Sequence, residues 1–116
     1  MSGSGISFFI PGASVVGTSQ ASALVPSAMT ISHVKVYSTT APVGATLFVD
    51  VNVNGTTIFT TQANRPGVLT TAFAANSGIP DGTTVLAAGD RITIDVDAIG
   101  STTAGGAPLL VTVVML

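Results

Sequence analysis

The chain has 116 residues, no cysteine, a formal net charge of −2 and only 7% charged residues. This length predicts one domain, and the lack of cysteine excludes disulfides and thiolate metal sites. The three cations are scattered, so no nucleic-acid partner is expected, and a hydrophobic fraction of 47% with so little charge excludes a disordered chain.

The small number of charges also bears on the surface, because a typical soluble domain carries about 25% charged residues. We expect partner subunits to cover much of this surface. The alternative is a neutral, threonine-rich surface that stays soluble by hydration. The longest apolar stretch, residues 107–116, is interrupted by Thr112. It is far shorter than the roughly 20 residues of a transmembrane helix, so no membrane partner is expected.

The N-terminal region predicts an arm followed by a strand. Residues 1–5 are mostly glycine and serine and predict a flexible arm, and residues 6–10 predict a short apolar strand. Successive strand residues point to opposite faces, so Phe8 and Phe9 should lie on opposite sides of a sheet. One of them would enter the core, and the other, on the outer face, would have to be covered by something else. We interpret Phe8 and Phe9 as candidate interface residues, with a covering loop of the same chain as the alternative.

The next two segments predict a loop and a strand. Residues 13–28 are rich in serine, alanine and glycine and predict a long loop. Residues 29–38 predict a strand whose apolar residues change parity near His33. A β-bulge at that point would let both apolar sets face the core.

The clearest element is a hairpin over residues 44–61. Aliphatic residues occupy every second position from Leu47 to Val53, which is the period of a strand with one buried face. Asn54 and Gly55 tolerate the positive φ angles of a type I′ turn. The β-branched and aromatic residues that follow predict a return strand over residues 56–61.

Four further strands are predicted in the C-terminal half. Residues 68–74 predict a weak strand, residues 85–86 a short one, and a third begins at Gly89 and alternates apolar with polar residues. Residues 108–116 predict the last strand. Because that strand is apolar at both parities, it should be central in its sheet or covered on both faces.

Together these segments predict an all-β fold. We expect an antiparallel β-sandwich, jelly-roll-like, with about seven or eight strands in a single domain over residues 6–116. No segment shows a helical apolar period. An immunoglobulin-like sandwich is the alternative, but its cysteine pair and core tryptophan are absent.

One sequence pattern occurs twice. Gly-x5-Asp-Val-x3-Gly-x-Thr starts at Gly44 and again at Gly89. The repeat indicates either two related hairpins that face each other or two strands that follow the same local rules.

The acidic residues are the main candidates for chemistry. Asp50 and Asn52 share one strand face, as do Asp95 and Asp97. If these strands are neighbours, their oxygens gather on one face, either as a calcium site or as a solvated surface. Two carboxylates on one face do not span a cleft as glycosidase pairs do.

His33 is the only histidine, and no serine lies in a Gly-x-Ser-x-Gly motif. We expect His33 to be a structural or interface residue. We therefore predict a protein that is not an enzyme, with no catalytic residue, no cofactor and no metal.

Two segments resemble a family of small β-sandwich structural proteins of tailed bacteriophages. The first, residues 42–61, reads Pro-Val-Gly-Ala-Thr-Leu-Phe-Val-Asp-Val-Asn-Val-Asn-Gly-Thr-Thr-Ile-Phe-Thr-Thr and is followed by Arg65 and Pro66. The second, residues 81–102, reads Asp-Gly-Thr-Thr-Val-Leu-Ala-Ala-Gly-Asp-Arg-Ile-Thr-Ile-Asp-Val-Asp-Ala-Ile-Gly-Ser-Thr. The similarity extends over residues 29–113.

The resemblance implies a virion component without catalytic residues, either a capsid decoration (cement) protein or part of a tail or fibre. Trimers are common in such proteins, so a homo-oligomer is expected, with a trimer favoured. The chain shows no fibre shaft or coiled coil, so we expect the capsid surface rather than the tail, with the major capsid protein or other virion proteins as partners. Residues 1–5 together with Phe8 and Phe9 would form an arm that reaches a neighbour.

The alternative function is a tail-tip or fibre module that binds a receptor or a carbohydrate. Sugar sites in sandwiches usually stack a tryptophan or tyrosine on the sugar ring. This chain has no tryptophan, and Tyr37 is its only tyrosine, which makes the carbohydrate alternative the weaker one.

Overall fold

The computed structural model describes residues 4–10, 16–38, 44–68, 78–99 and 109–116. In chain order the strands are β1 (Ser4–Ile10), β2 (Gly17–Leu24), β3 (Met29–Ser38), β4 (Leu47–Val53), β5 (Thr56–Thr57), β6 (Gly67–Val68), β7 (Val85–Leu86), β8 (Arg91–Ile99) and β9 (Leu109–Met115). A 3₁₀ turn, Gln62–Asn64, lies between β5 and β6. In this part of the chain, no helix has the length and apolar character needed to span a membrane.

The strands form two antiparallel sheets, ordered β1-β9-β3-β7 and β2-β8-β4-β5, with β6 also paired to β4. The chain folds back along itself, because β4 pairs with β5, β3 with β7, β2 with β8, and β1 with β9. These nested pairs fall alternately in one sheet and the other, which is the arrangement of a jelly roll. The predicted all-β sandwich is confirmed, with nine strands in the described residues where the sequence predicted about seven or eight.

The core lies between the two sheets and takes one face of each long strand. In β4 from Leu47 to Val53, and in β8 from Ile92 to Val96, every second residue is aliphatic and buried, as the alternation predicted. Burying one such side chain stabilises the fold by about 1.5–3 kcal/mol. The largest fully buried side chains include Phe59, Leu47, Ile58, Leu86, Ile92, Ile94, Leu109, Met115, Val25, Val34, Val36 and Val49.

The bulge predicted near His33 is present. Ile31 pairs with Met115 and His33 with Val114, so Ser32 is the extra residue between them. The bulge changes the parity of the strand, and apolar residues on both sides of it are consequently buried in the core.

The hairpin turn is confirmed, but its return strand is shorter than predicted. Asn54 and Gly55 have φ angles of 51° and 88°, as a type I′ turn requires. Strand β5 ends at Thr57 instead of residue 61. Ile58 and Phe59 are both fully buried, which neighbouring residues of a strand with one buried face cannot achieve, so the chain leaves the sheet there.

Strand β2 corrects the prediction of a long loop over residues 13–28. Five of its eight residues are glycine, alanine or serine, which carry little preference for a strand, but pairing with β8 holds the segment extended. Ala21 and Ala23 pack against the core. The strand is irregular, since its register shifts around Ser19, which has a φ of 50°.

The two terminal strands lie side by side. Strand β9 is central, between β1 and β3, as its apolar character at both parities predicted. Strand β1 begins at Ser4, so Ser4 and Gly5, which were assigned to the arm, pair with Met115 and Val114. Residues 1–3 of the predicted arm lie outside the described residues, as do residues 69–74 of the predicted weak strand, of which β6 is the described part.

Candidate interaction surface

Strand β1 places its two neighbouring phenylalanines on opposite sides of the sheet, as predicted. Phe8 lies in the core and is 5% exposed, whereas Phe9 lies on the outer side and is 61% exposed. Their partners on β9 are Val111 and Leu110, respectively. Of the two candidate interface residues, Phe9 is therefore the one that could contact a partner directly. Its role in an interface remains a prediction.

Phe9 forms one end of an exposed row that crosses three strands. It lies opposite Leu110 on β9, and Leu110 lies opposite Tyr37 on β3. Leu110 is 37% exposed and Tyr37 44% exposed. The Cβ atoms of directly opposite residues are about 4.5–5.5 Å apart, so the three side chains form one continuous apolar strip.

The strip belongs to the outer side of the β1-β9-β3-β7 sheet, which we call the apolar face. Beside the strip is a polar row, in which Ser7 and Thr112 are hydrogen bonded at 3.1 Å and Lys35 lies opposite Thr112. Val85 and Leu116 are exposed at the far end. Among the described residues of this face, Lys35 has the only side chain with a formal charge at neutral pH.

His33 lies at the bulge of β3, opposite Val114 on the apolar face. It is half-buried, and its Nδ1 lies 2.9 Å from the Oγ of Ser32. This contact holds the ring beside the bulge, which is a structural position. A role for His33 in an interface remains a prediction.

The outer side of the other sheet, which we call the polar face, brings together the acidic strands noted in the sequence. Strands β4 and β8 are neighbours, and Asp50 lies opposite Asp95, with Asn52 opposite Thr93. The strands that contain the described parts of the two copies of the repeated pattern therefore lie side by side in one sheet. Asp95 accepts hydrogen bonds from the Ser19 N–H at 2.7 Å and the Asn52 Nδ2 at 2.8 Å. Its carboxylate thus links β2, β8 and β4.

Asp50 is a buried carboxyl group, only 7% exposed. Its Oδ1 accepts hydrogen bonds from the Val51 N–H at 2.8 Å and the Thr57 hydroxyl at 2.5 Å. Burial raises the pKa of Asp50 above its ordinary value, and the charge of Asp97 raises it further, although the hydrogen bonds oppose both effects. Asp50 therefore holds a proton more readily than an exposed aspartate does.

Asp97 is engaged by the loop that follows the hairpin. The Nη1 of Arg65 lies 2.6 Å from the Oδ2 of Asp97, and the guanidinium sits 5.1 Å from the centre of the Phe48 ring. The three carboxylates of the polar face are thus each bound to protein donors. In the described part of the chain, no group of three or more histidine, cysteine or acidic residues is placed to hold a metal ion. The arrangement joins strands and the adjoining loop by hydrogen bonds and one ion pair.

The sequence did not predict that Phe9, Leu110 and Tyr37 lie together in one exposed strip. One signal pointed to it, because the apolar residues at both parities of β9 called for a cover on each side. The structure supplies the core as one cover and leaves Leu110 partly exposed on the other side.

Comparison of the chain with protein-family models, curated proteins and solved structures found no match.

Proposed function

We propose that this chain is a non-enzymatic virion structural protein that decorates the capsid of a tailed bacteriophage and stabilises the shell. The observation that carries the proposal is the exposed strip of Phe9, Leu110 and Tyr37 on a nearly uncharged sheet face. Contiguous apolar surface of this kind is typical of a protein–protein interface. The phage-family resemblance of the sequence supports the choice of partner.

The distribution of charge supports docking through the apolar face rather than the polar face. Asp50, Asp95 and Asp97 already use their oxygens on donors within the chain. Covering that face would remove further polar groups from water, which costs free energy unless each gains a partner. Covering the strip removes mainly apolar surface from water, which is favourable by about 25 cal/mol per Å².

In this proposal the chain binds the assembled shell, with the major capsid protein or another virion protein as the partner. A protein that binds only the assembled lattice shifts the equilibrium toward assembly by mass action. The proposed protein is a homo-oligomer, for which the family resemblance favours a trimer, on the capsid surface rather than the tail.

The test is co-sedimentation of the purified protein with capsids of the phage that encodes it, prepared without this protein. Leu110→Ser should weaken binding about tenfold or more, because it places a hydroxyl group in the middle of the strip, and the few residues that contribute most to binding cluster at the centre of an interface. Leu24→Ser is the matched control, since Leu24 is an exposed leucine on the other sheet. Thermal melts confirm that both variants fold. Equal binding by the two variants would contradict docking through the apolar face.

A second candidate is a receptor- or carbohydrate-binding module at a tail tip. The observation that favours it is Tyr37, which is exposed within the apolar strip and could stack on a sugar ring. A glycan array separates the two candidates. Signals that disappear in Tyr37→Ala would support the carbohydrate module, whereas silence on the array together with capsid binding supports the decoration protein.

A further inference from the structure

The four edges of the two sheets differ in how well they are protected from pairing with another strand. Strands β5 and β7 are two residues long, and β2 has a register shift at Ser19. Short and irregular edges are two of the ways in which proteins prevent unwanted strand pairing. Strand β1 is different, because it is seven residues long and pairs with β9 from Ser4 to Ile10 without a shift.

The sequence of β1 also leaves its edge open. Ser-Gly-Ile-Ser-Phe-Phe-Ile contains no charged residue and no proline, the two residue types that most often block an edge. Strand β1 lies close to β2 of the other sheet, but no ladder joins the two, and within the described residues no strand pairs with the outer edge of β1. A regular, uncharged edge of this length is a template for one more strand.

We propose that β1 pairs with β1 of a second copy of this chain, antiparallel about a two-fold axis at Ser7. The two four-stranded sheets become one eight-stranded sheet, and the two apolar faces become continuous. The inference names a second copy and a contact for the self-assembly expected under the proposed function, and it replaces the trimer that the family resemblance favours with a two-fold dimer.

The side chains of β1 complement each other in this register. With Ser7 opposite Ser7 of the second copy, Phe9 lies opposite Gly5, and both are on the apolar face. Glycine in an edge strand has no side chain to contribute to the pair, and an aromatic residue across from it covers the exposed backbone. On the inner side Ile6 lies opposite Phe8, so the cores of the two copies also meet.

The absence of charge favours a second copy over a charged partner. Self-pairing brings two identical strands together, which is unfavourable when the strand carries a net charge. In β1 no such repulsion between side chains arises, and the nearest charged side chain on the same face, that of Lys35, is two strands away on β3. The strand is therefore suited to pair with itself.

A cysteine at the two-fold axis tests the contact. Directly opposite Cα atoms in an antiparallel pair are about 4.5 or 5.5 Å apart, and both values lie in the range of a disulfide. The natural chain has no cysteine, so Ser7→Cys introduces the only thiol. Under mild oxidation it should form a disulfide-linked dimer at least tenfold faster than Ser22→Cys. Ser22 is the matched control because it is an exposed serine on the edge strand of the other sheet.

Light scattering on the natural chain and on a lysine variant completes the test. The natural chain should have about twice the mass of the 11.4 kDa monomer, and Ser7→Lys, which places two ammonium groups across the axis, should be monomeric. Ser22→Lys should remain dimeric. A natural chain that is monomeric or trimeric, or equal rates of cross-linking at residues 7 and 22, would overturn the edge contact.

The outcome is separable from that of the proposed function. Loss of capsid binding in Leu110→Ser with an intact dimer supports both inferences, because the two contacts use different residues. A natural chain that binds capsids as a trimer would keep the decoration function and refute the β1 contact. A dimer that fails to bind capsids would keep the β1 contact and refute the decoration function.

Discussion

Replacing Asn54 should destabilise the fold by an amount that depends on the new residue. Asn54 occupies the first turn position with a positive φ of 51°. Its Oδ1 accepts the Arg91 N–H at 2.9 Å, and its Nδ2 donates to the Oδ1 of Asp90 at 3.1 Å. One side chain therefore fixes the hairpin turn and ties it to the start of β8.

Two contributions can be separated by substitution. Each of the two exposed hydrogen bonds should be worth about 0.5 kcal/mol, the lower end of the usual range. Asn54→Gly removes both but keeps the positive φ without strain, so it should cost about 1 kcal/mol. Asn54→Ala removes both and adds about 1 kcal/mol for a left-handed non-glycine residue, for a total of about 2 kcal/mol.

Thermal and urea unfolding of the three proteins measure these differences. For a domain of this size, 1 kcal/mol lowers the Tm by about 4 °C, so the two variants should melt about 4 °C and 8 °C below the natural chain. An Asn54→Gly protein as stable as the natural chain would show that the side-chain hydrogen bonds contribute nothing. Equal stability of the two variants would refute the strain argument.

Three further predictions concern charged residues. Burial raises the pKa of Asp50 in the folded protein. The contribution of Asp50 to the free energy of unfolding is therefore complete below the ordinary aspartate pKa, and it is lost as pH rises through the folded-state pKa. In urea titrations, the free energy of unfolding of Asp50→Asn should therefore fall less between about pH 4 and pH 7 than that of the natural chain. Parallel plots of the two unfolding free energies against pH would contradict this. Hydrogen bonds from Thr61 lower the pKa of Asp81, so its contribution is present above about pH 4 and is lost as pH falls through the folded-state value. In Asp81→Asn, the free energy of unfolding should therefore fall less steeply as pH decreases below about pH 4. The same dependence on acid pH in the variant and the natural chain would refute this. Arg65→Lys keeps the charge but weakens the stacking on Phe48. Thermal melts should therefore show a loss of unfolding free energy below about 1 kcal/mol. A much larger loss would contradict this estimate of the contact.

The strands with strong alternation were predictable from the sequence, because their pattern records which face meets the core. Strand β4 and the bulge near His33 are examples, since in both the positions of aliphatic residues determine how the backbone must lie. Strand β2 was not predictable, because alanine, serine and glycine carry little preference for a strand. Its conformation comes from pairing with β8, which is a property of the assembled sheet. The early end of β5 has a similar origin, since burial of Ile58 and Phe59 overrides their strand propensity.

The candidate interaction surface was predictable only in part. Two adjacent phenylalanines in a strand must face opposite ways, so one exposed aromatic ring followed from the sequence. Its neighbours did not, because Phe9, Tyr37 and Leu110 are far apart in the chain and meet only through the registers of β1, β9 and β3. Register between distant strands depends on the whole fold rather than on local pattern. The same limit hid the pairing of Asp50 with Asp95, because the sequence placed each residue on a strand face without showing that the two strands are neighbours.

The nested strand order also sets the timing of folding during synthesis. Strand β9 occupies the middle of its sheet, between β1 and β3, yet it is translated about a hundred residues after β1. At the usual 5–20 residues per second, β1 waits roughly 5 to 20 s for the strand that joins it to β3. Throughout this interval neither edge of the uncharged strand β1 is paired. Two nascent chains on neighbouring ribosomes can therefore pair through β1 before β9 of either chain has been made.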